Sequence, residues 1–291
     1  MARALLVVCL VLATSSAQAQ GREHRLRWSP DWARVHPASY TITTAVGGAS
    51  LIFDHLYVSG PEAQLRGPTV IDAPVRAALM ASTDEGRDIA GLISDILLGT
   101  MLAWPVFDAL VIAGIADTNS DVAWQLTWIT AESYALEMLI NTLFKQLVAR
   151  ERPFGSRCTL EDRLENPGRC GPSGRLRSFY SGHSSFSFSA AGQVCVTHLH
   201  LPLYGSDAAD GFACGAALLV ASTVAILRMV GDYHYVTDVL VGALVGLTTG
   251  FLMPYLLHYQ WDPSDDIPPD ISVPARAPLS TPVMVGWSGT F

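Results

Sequence analysis

The chain has 291 residues, of which 50% are hydrophobic and only 15% charged, against roughly 25% charged in an ordinary soluble domain. That composition excludes a disordered chain, and the formal net charge of -8 leaves no overall basic surface for a nucleic acid. An anionic ligand must therefore be held by a local cluster of cations, and a mean hydropathy of +0.31 points to a helical protein in or beside a membrane.

Residues 1–19 open with Arg3, run through the apolar segment LLVVCLVLA and end in Ala17-Gln18-Ala19. A small-x-small ending is what a signal peptidase needs, and the apolar run is short for an anchor across a bilayer core of ~30 Å. The expectation is a cleaved secretory signal over 1–19, a helical domain over 20–260 and a C-terminal tail over 261–291. The tail is rich in Pro and Asp, a composition that cannot continue a helix.

Between these ends, apolar stretches fall at about 41–59, 90–116, 123–149, 183–203, 211–230 and 238–259. They predict an all-α bundle of about six helices, embedded in or associated with a membrane. The last two are the cleanest spans. The second carries Asp95 and Asp108 and the third Glu132 and Glu137, charges that lipid penalises unless they turn inward, so these two also suit the core of a soluble bundle. Gly242, Gly246 and Gly250 recur every fourth residue and put three small surfaces on one face, where another backbone can approach closely.

Removal of the leader takes Cys9 with it. Cys158 and Cys170 lie in the polar stretch RCTLEDRLENPGRC, where a disulfide closes a short loop in an oxidising compartment. Cys195 and Cys214 stand in apolar segments and read as buried thiols. The interval 150–177 holds seven arginines against Glu151, Glu161, Asp162 and Glu165, a basic loop in an acidic chain. Arg157, Arg163 and Arg169 read as solvated charges with surface ion pairs.

Three clusters carry polar chemistry. Lys145 is followed seven residues later by Arg152-Pro153. The Pro stops the third helix where a point-charge ammonium and a planar guanidinium emerge, the pair a phosphate needs, although Lys and Arg at a helix end also satisfy its dipole. Phe179-Tyr180-Ser181-Gly182-His183 stands directly before the fourth apolar helix, so backbone N–H groups, a hydroxyl and an imidazole meet at a helix N-terminus. Arg228 closes the fifth helix, His234 follows six residues later and Asp238 four beyond. At i and i+4 the carboxylate can accept the imidazole N–H and hold its tautomer.

In this order, Lys-x6-Arg-Pro, Ser-Gly-His and Arg-x5-His-x3-Asp resemble the signature of the type 2 phosphatidic acid phosphatase family, which also includes bacterial class A acid phosphatases and vanadium-dependent haloperoxidases. The resemblance runs from Lys145 to Asp238, with Tyr180 where Pro usually precedes Ser-Gly-His and Leu227 where Ser usually precedes the Arg. It implies that His234 is the nucleophile forming a phosphohistidine, Asp238 its orienting carboxylate, and His183 the acid that protonates the leaving oxygen and later activates water. It further implies that Lys145, Arg152, Ser181, Gly182 and Arg228 bind phosphate oxygens and stabilise their transition-state charge. Three fixed cations supply the neutralisation a metal would give, so no cofactor is expected and activity is expected to survive EDTA. A neutral His234 and a protonated His183 together predict a bell-shaped pH profile.

Other polar residues have plainer readings. Glu137, Asn141 and Lys145 share a helical face, as a support for Lys145 or as an inward polar stripe. His198 and His200 fall on different faces, which argues against a metal pair. Asp54, His55 and His258 read as interface or surface residues, and Asp232 and Tyr233 as candidates for the pocket entrance.

The family's membrane members hold all three motifs on the outer side. That requires two spans before Arg152, with 41–59 interfacial or buried and the basic loop outside, against the positive-inside tendency. The activity expected is a phosphatase of a bacterial cell envelope, facing the periplasm and acting on a lipid phosphate or isoprenoid pyrophosphate, with a membrane and no nucleic acid as partner. Its alternatives are a soluble periplasmic acid phosphatase of broad specificity and a haloperoxidase holding vanadate in the same cage.

Overall fold

Helix starts in this chain are set by short polar side chains. Thr83, Asn119, Ser181 and Ser206 each accept the backbone N–H of the residue three further on, satisfying a donor that the first turn leaves open. The computed structural model describes residues 25–56 and 63–260. Among these the α-helices are α1 (Pro37–Leu56), α2 (Asp72–Leu79), α3 (Asp84–Phe107), α4 (Ser120–Val148), α5 (Leu160–Glu165), α6 (Pro167–Cys170), α7 (Pro172–Arg175), α8 (Gly182–His200), α9 (Asp207–Val230) and α10 (Val236–Leu247). A π-helix over Asp108–Ala116 prolongs α3, and wider turns over Thr248–Leu252 and Tyr255–Tyr259 prolong α10. The expected leader 1–19 and tail 261–291 lie outside the described residues.

The count is therefore ten rather than about six. The six apolar stretches fall in the six long helices, and the excess is α2 with the three short helices of the basic loop. Those are started by a Thr159–Asp162 capping box and by Pro167 and Pro172 at first helical positions, signals that carry no apolar run. A second difference is the end of α4. It stops at Val148, where Ala149 turns left-handed with φ 39°, ahead of Pro153, so Arg152 stands on extended backbone beyond the helix.

Among the described residues, three helices are long and apolar enough to cross a membrane: Asp84–Ala116, Asp207–Val230 and Val236–Tyr259. Each bares apolar side chains, among them Leu92 and Ile96, Phe212 and Leu219, and Leu240 and Leu244. The two C-terminal stretches expected to be the cleanest spans are among the three. However, α4, which the expected topology used as the second crossing before Arg152, is not. Its Glu137 is buried, as is Asp108 of the π-helix, so these carboxylates do turn inward.

Helix α8 is the central rod, with α3, α4, α9 and α10 packed around it. The glycine stripe of α10 lies on its backbone. A Cβ on Gly242 would stand 2.7 Å from the Ser181 carbonyl oxygen, and one on Gly246 or Gly250 would overlap the carbonyl of Ser185 or Ser189. This contact fixes the register of α8 against α10, and the Ser181 N–H donates to the Asp238 carbonyl at 3.0 Å. The corner that opens α8 is thereby held beside the turn that opens α10.

Two further expectations are corrected. Cys195 and Cys214 are not free thiols but a disulfide between α8 and α9, with Cα atoms 4.4 Å apart; the alignment of two neighbouring helices decides this, and local composition does not show it. His258 is buried rather than at the surface, bonded to Glu132 at 3.0 Å. Cys158 and Cys170 form the other disulfide, with Cα atoms 5.7 Å apart.

Candidate active site

Lys145, near the end of α4, rises past the opening of α8. Its Nζ lies 3.1 Å from where a Cβ on Gly182 would be, so the bare Cα of that glycine makes room for the ammonium. Arg152 lies beyond the helix end, its guanidinium 5.9 Å from the Tyr233 ring centroid and 6.0 Å from that of Phe154. Neither Lys145 nor Arg152 forms an ion pair among the described residues, and the buried Nε of Arg152 has no hydrogen-bond partner.

The nearby carboxylates are engaged elsewhere. Asp54 pairs with Arg177. Arg228, at the end of α9, donates to Ser94 Oγ at 3.0 Å and Asp95 Oδ1 at 3.1 Å, with its guanidinium 4.0 Å over the Tyr233 ring. Buried cations without counterions are costly, and this cluster keeps two of them.

Two imidazoles face the same cations. His183 Nε2 is 2.7 Å from Asp95 Oδ1. Burial holds His183 down to about 4, helped by the charge of Arg228 and opposed by Asp95. His234, in the turn before α10, is held down to about 3, first by burial and then by Arg152 and Arg228 against the pull of Asp238. Burial together with Arg228 and Arg177 lowers Arg152 itself to about 9. The same two guanidiniums thus bear on both rings, although the rings come from α8 and from the α9–α10 turn.

The tautomer of His234 is set differently from the sequence expectation. Its Nδ1 is 2.8 Å from the Ser178 carbonyl oxygen, whereas Asp238 Oδ2 stands at 3.8 Å, beyond hydrogen-bond range. A carbonyl can only accept, so Nδ1 carries the proton and the Nε2 lone pair is free. Asp238 is held by other donors: Arg150 Nη1 at 2.6 Å, Ser178 Oγ at 2.5 Å and the Tyr235 N–H at 3.0 Å. The reason is that i and i+4 bring the two residues near each other, while the Ser178 carbonyl stands closer still to the ring N–H.

The remaining sequence candidates divide. Gly182 sits at the cluster. The Ser181 hydroxyl is buried and accepts the Ser184 N–H at 3.4 Å and the Ser184 hydroxyl at 3.1 Å, so it caps α8 while keeping its own O–H to donate. Tyr180 donates to Glu137 at 3.0 Å, which gives that buried carboxylate a partner other than Lys145. Asp232 does not line an entrance: it is buried between Arg76 at 2.6 Å and Arg157 at 2.8 Å. Arg157 is therefore tied at its head, not simply solvated. His198 bridges Asp210 at 2.5 Å and Asp108 at 3.2 Å. Among the described residues no three His, Cys, Asp or Glu side chains converge as a metal site would require.

Sequence reasoning took Asp95 only as a charge in an apolar stretch and gave no site role to Ser178, Arg150 or Asp72, all of which touch motif residues or their partners. Asp95 carried a signal as a charge within an apolar helix, and Arg150 as a cation two positions before the motif Arg.

The assembly is a cluster of buried cations, Lys145, Arg152 and Arg228, with two imidazoles among helix ends. Residues 126–262, which hold all three motifs, match the model of the PAP2 superfamily. A PA-phosphatase related-family protein of Dictyostelium discoideum is 26% identical over 131 residues, 43% of this chain and 46% of that protein. The chain thus covers less than half of that relative. No solved structure matches it.

Proposed function

We propose that the protein is a metal-independent phosphatase that hydrolyses a lipid phosphate or isoprenoid pyrophosphate through a phosphohistidine. The observation that carries this reading is the pair of uncompensated cations, Lys145 and Arg152, beside an imidazole whose Nε2 is unprotonated. His234 Nε2 attacks phosphorus, and the bond from phosphorus to the leaving oxygen breaks with its electron pair staying on oxygen. That oxygen takes a proton from His183. A water then attacks the phosphohistidine and gives its proton to His183, the P–N bond breaks, and inorganic phosphate leaves with both imidazoles restored. Lys145, Arg152, Arg228, the Ser181 hydroxyl and the Gly182 N–H bind the equatorial oxygens throughout.

The lipid half of the reading is supported by the three apolar helices and by a groove of about 620 Å³ between α1 and α4, lined by Phe53, Leu56, Leu139 and Leu143. Thr142 in the same wall is 3.5 Å from Asp54, the partner of Arg177, so an apolar tail there would begin close to the cations. The active face is assigned to the periplasmic side of a bacterial envelope. Phosphate release by purified protein from phosphatidate, undecaprenyl pyrophosphate and p-nitrophenyl phosphate, with and without EDTA, tests this. The lipids are expected to be preferred and EDTA to have no effect. Release from p-nitrophenyl phosphate alone, by protein extracted without detergent, would favour a soluble acid phosphatase.

A further inference from the structure

Around Asp238 the structure holds a buried charge network that the motifs do not contain. Arg150 is 1% exposed, and the carboxylates of Asp72 and Asp238 are fully buried. The guanidinium spans them, with Nη2 at 2.6 Å from Asp72 Oδ2 and Nη1 at 2.6 Å from Asp238 Oδ1. Asp72 is held just as firmly. It accepts the Thr237 N–H at 3.0 Å, the Thr237 hydroxyl at 2.9 Å, the Thr69 N–H at 2.8 Å and the Thr69 hydroxyl at 2.7 Å.

Two carboxylates against one guanidinium leave one negative charge in excess. We propose that Asp72 and Arg150 are positioning residues for the phosphohistidine step, Asp72 neutralising Arg150 so that the charge of Asp238 is left for His234. The inference rests on the function proposed above. Arg150 alone would fix Asp238 in place but would also cancel it, and the imidazole becomes cationic as its Nε2 bonds phosphorus. With Asp72 in place, the network is both rigid and anionic, and the developing cation meets a ready counter-charge. Arg152 and Arg228 also face His234, and both oppose that cation.

The test compares Asp72→Asn with the double variant Asp72→Asn/Arg150→Met. The single change leaves Asp238 cancelled by Arg150; the double change restores one net negative charge. For Asp72→Asn, kcat is expected to fall about tenfold at unchanged KM, and the His234 pKa, followed by NMR, to drop by about one unit. The double variant is expected to recover most of both. A purely structural role would lower Tm and leave the pKa of the folded protein unmoved. That result, or a double variant no better than the single one, overturns the proposal. If Asp72→Asn does not fold, the double variant carries the test, and its His234 pKa must match that of the wild type. If the double variant also fails to fold, the pair is structural and the proposal falls. Should the wild-type chain release phosphate from none of the three substrates, the function reading fails, while the NMR titration still decides on the network.

Discussion

Gly182→Ala separates a phosphate-binding role for Lys145 from a merely neighbouring one. Gly182 is the first residue of α8 and has no left-handed φ, so alanine adopts its backbone without strain. In a helix this exchange stabilises by up to about 1 kcal/mol. The added Cβ would stand 3.1 Å from Lys145 Nζ and 3.2 Å from Asn141 Oδ1, where ordinary contacts begin at 3.4 Å. The ammonium is the mobile end of a flexible chain, so it retreats by a few tenths of an ångström while the backbone stays. Since a misplacement of about 1 Å costs on the order of 10²-fold, a shift of this size lowers kcat/KM by roughly three- to tenfold. Steady-state phosphate release and thermal unfolding, measured on the same preparation, read the two effects separately. Lys145→Met should also cost less in the Gly182→Ala background than alone, because the contact is already impaired. Unchanged kcat/KM in protein of unchanged Tm would refute the placement of Lys145 on the phosphate.

The neighbouring elements give three further expectations. Gly246→Ala, whose Cβ would overlap the Ser185 carbonyl, should destabilise by about 1–3 kcal/mol or more and lower Tm, since backbone lies on both sides of the contact. His234→Ala should abolish phosphate release with little loss of stability, and retained turnover would end the phosphohistidine reading. In the free protein, His234 must be neutral, so kcat/KM rises as pH climbs through about 3; His183 must be protonated, so it falls as pH climbs through about 4. Bound phosphate, being negative, favours both imidazolium forms, so the limbs of kcat should lie at higher pH than those of kcat/KM. Coincident limbs, or an activity still rising from pH 5 to 9, would contradict the assigned roles.

The residues legible in the sequence are those whose meaning is local. Lys145 and Arg152 flank a helix end, His183 opens a helix, and Gly242, Gly246 and Gly250 show their common face through spacing alone. What the glycines touch was not legible, because the partner is the backbone of α8, and backbone contacts leave no residue pattern. The disulfide between Cys195 and Cys214 was missed for the same reason, since it depends on how two helices are aligned.

The charge network was hidden by distance along the chain. Asp72 bonds Thr237 across 165 residues, and Ser178 bonds His234 across 56. The i, i+4 rule correctly placed Asp238 near His234, but it could not show that Ser178, Arg150 and Tyr235 hold the carboxylate 3.8 Å from the ring. A buried acceptor satisfied by three donors loses little from lacking a fourth, whereas the imidazole N–H needs one partner and finds the Ser178 carbonyl. The motif thus states which groups meet, and the surrounding polar atoms decide which bonds form. Asp238 consequently faces His234 as a charge at 3.8 Å rather than as a hydrogen-bond partner, and in the mechanism proposed above that is what would let a distant carboxylate such as Asp72 bear on the reaction.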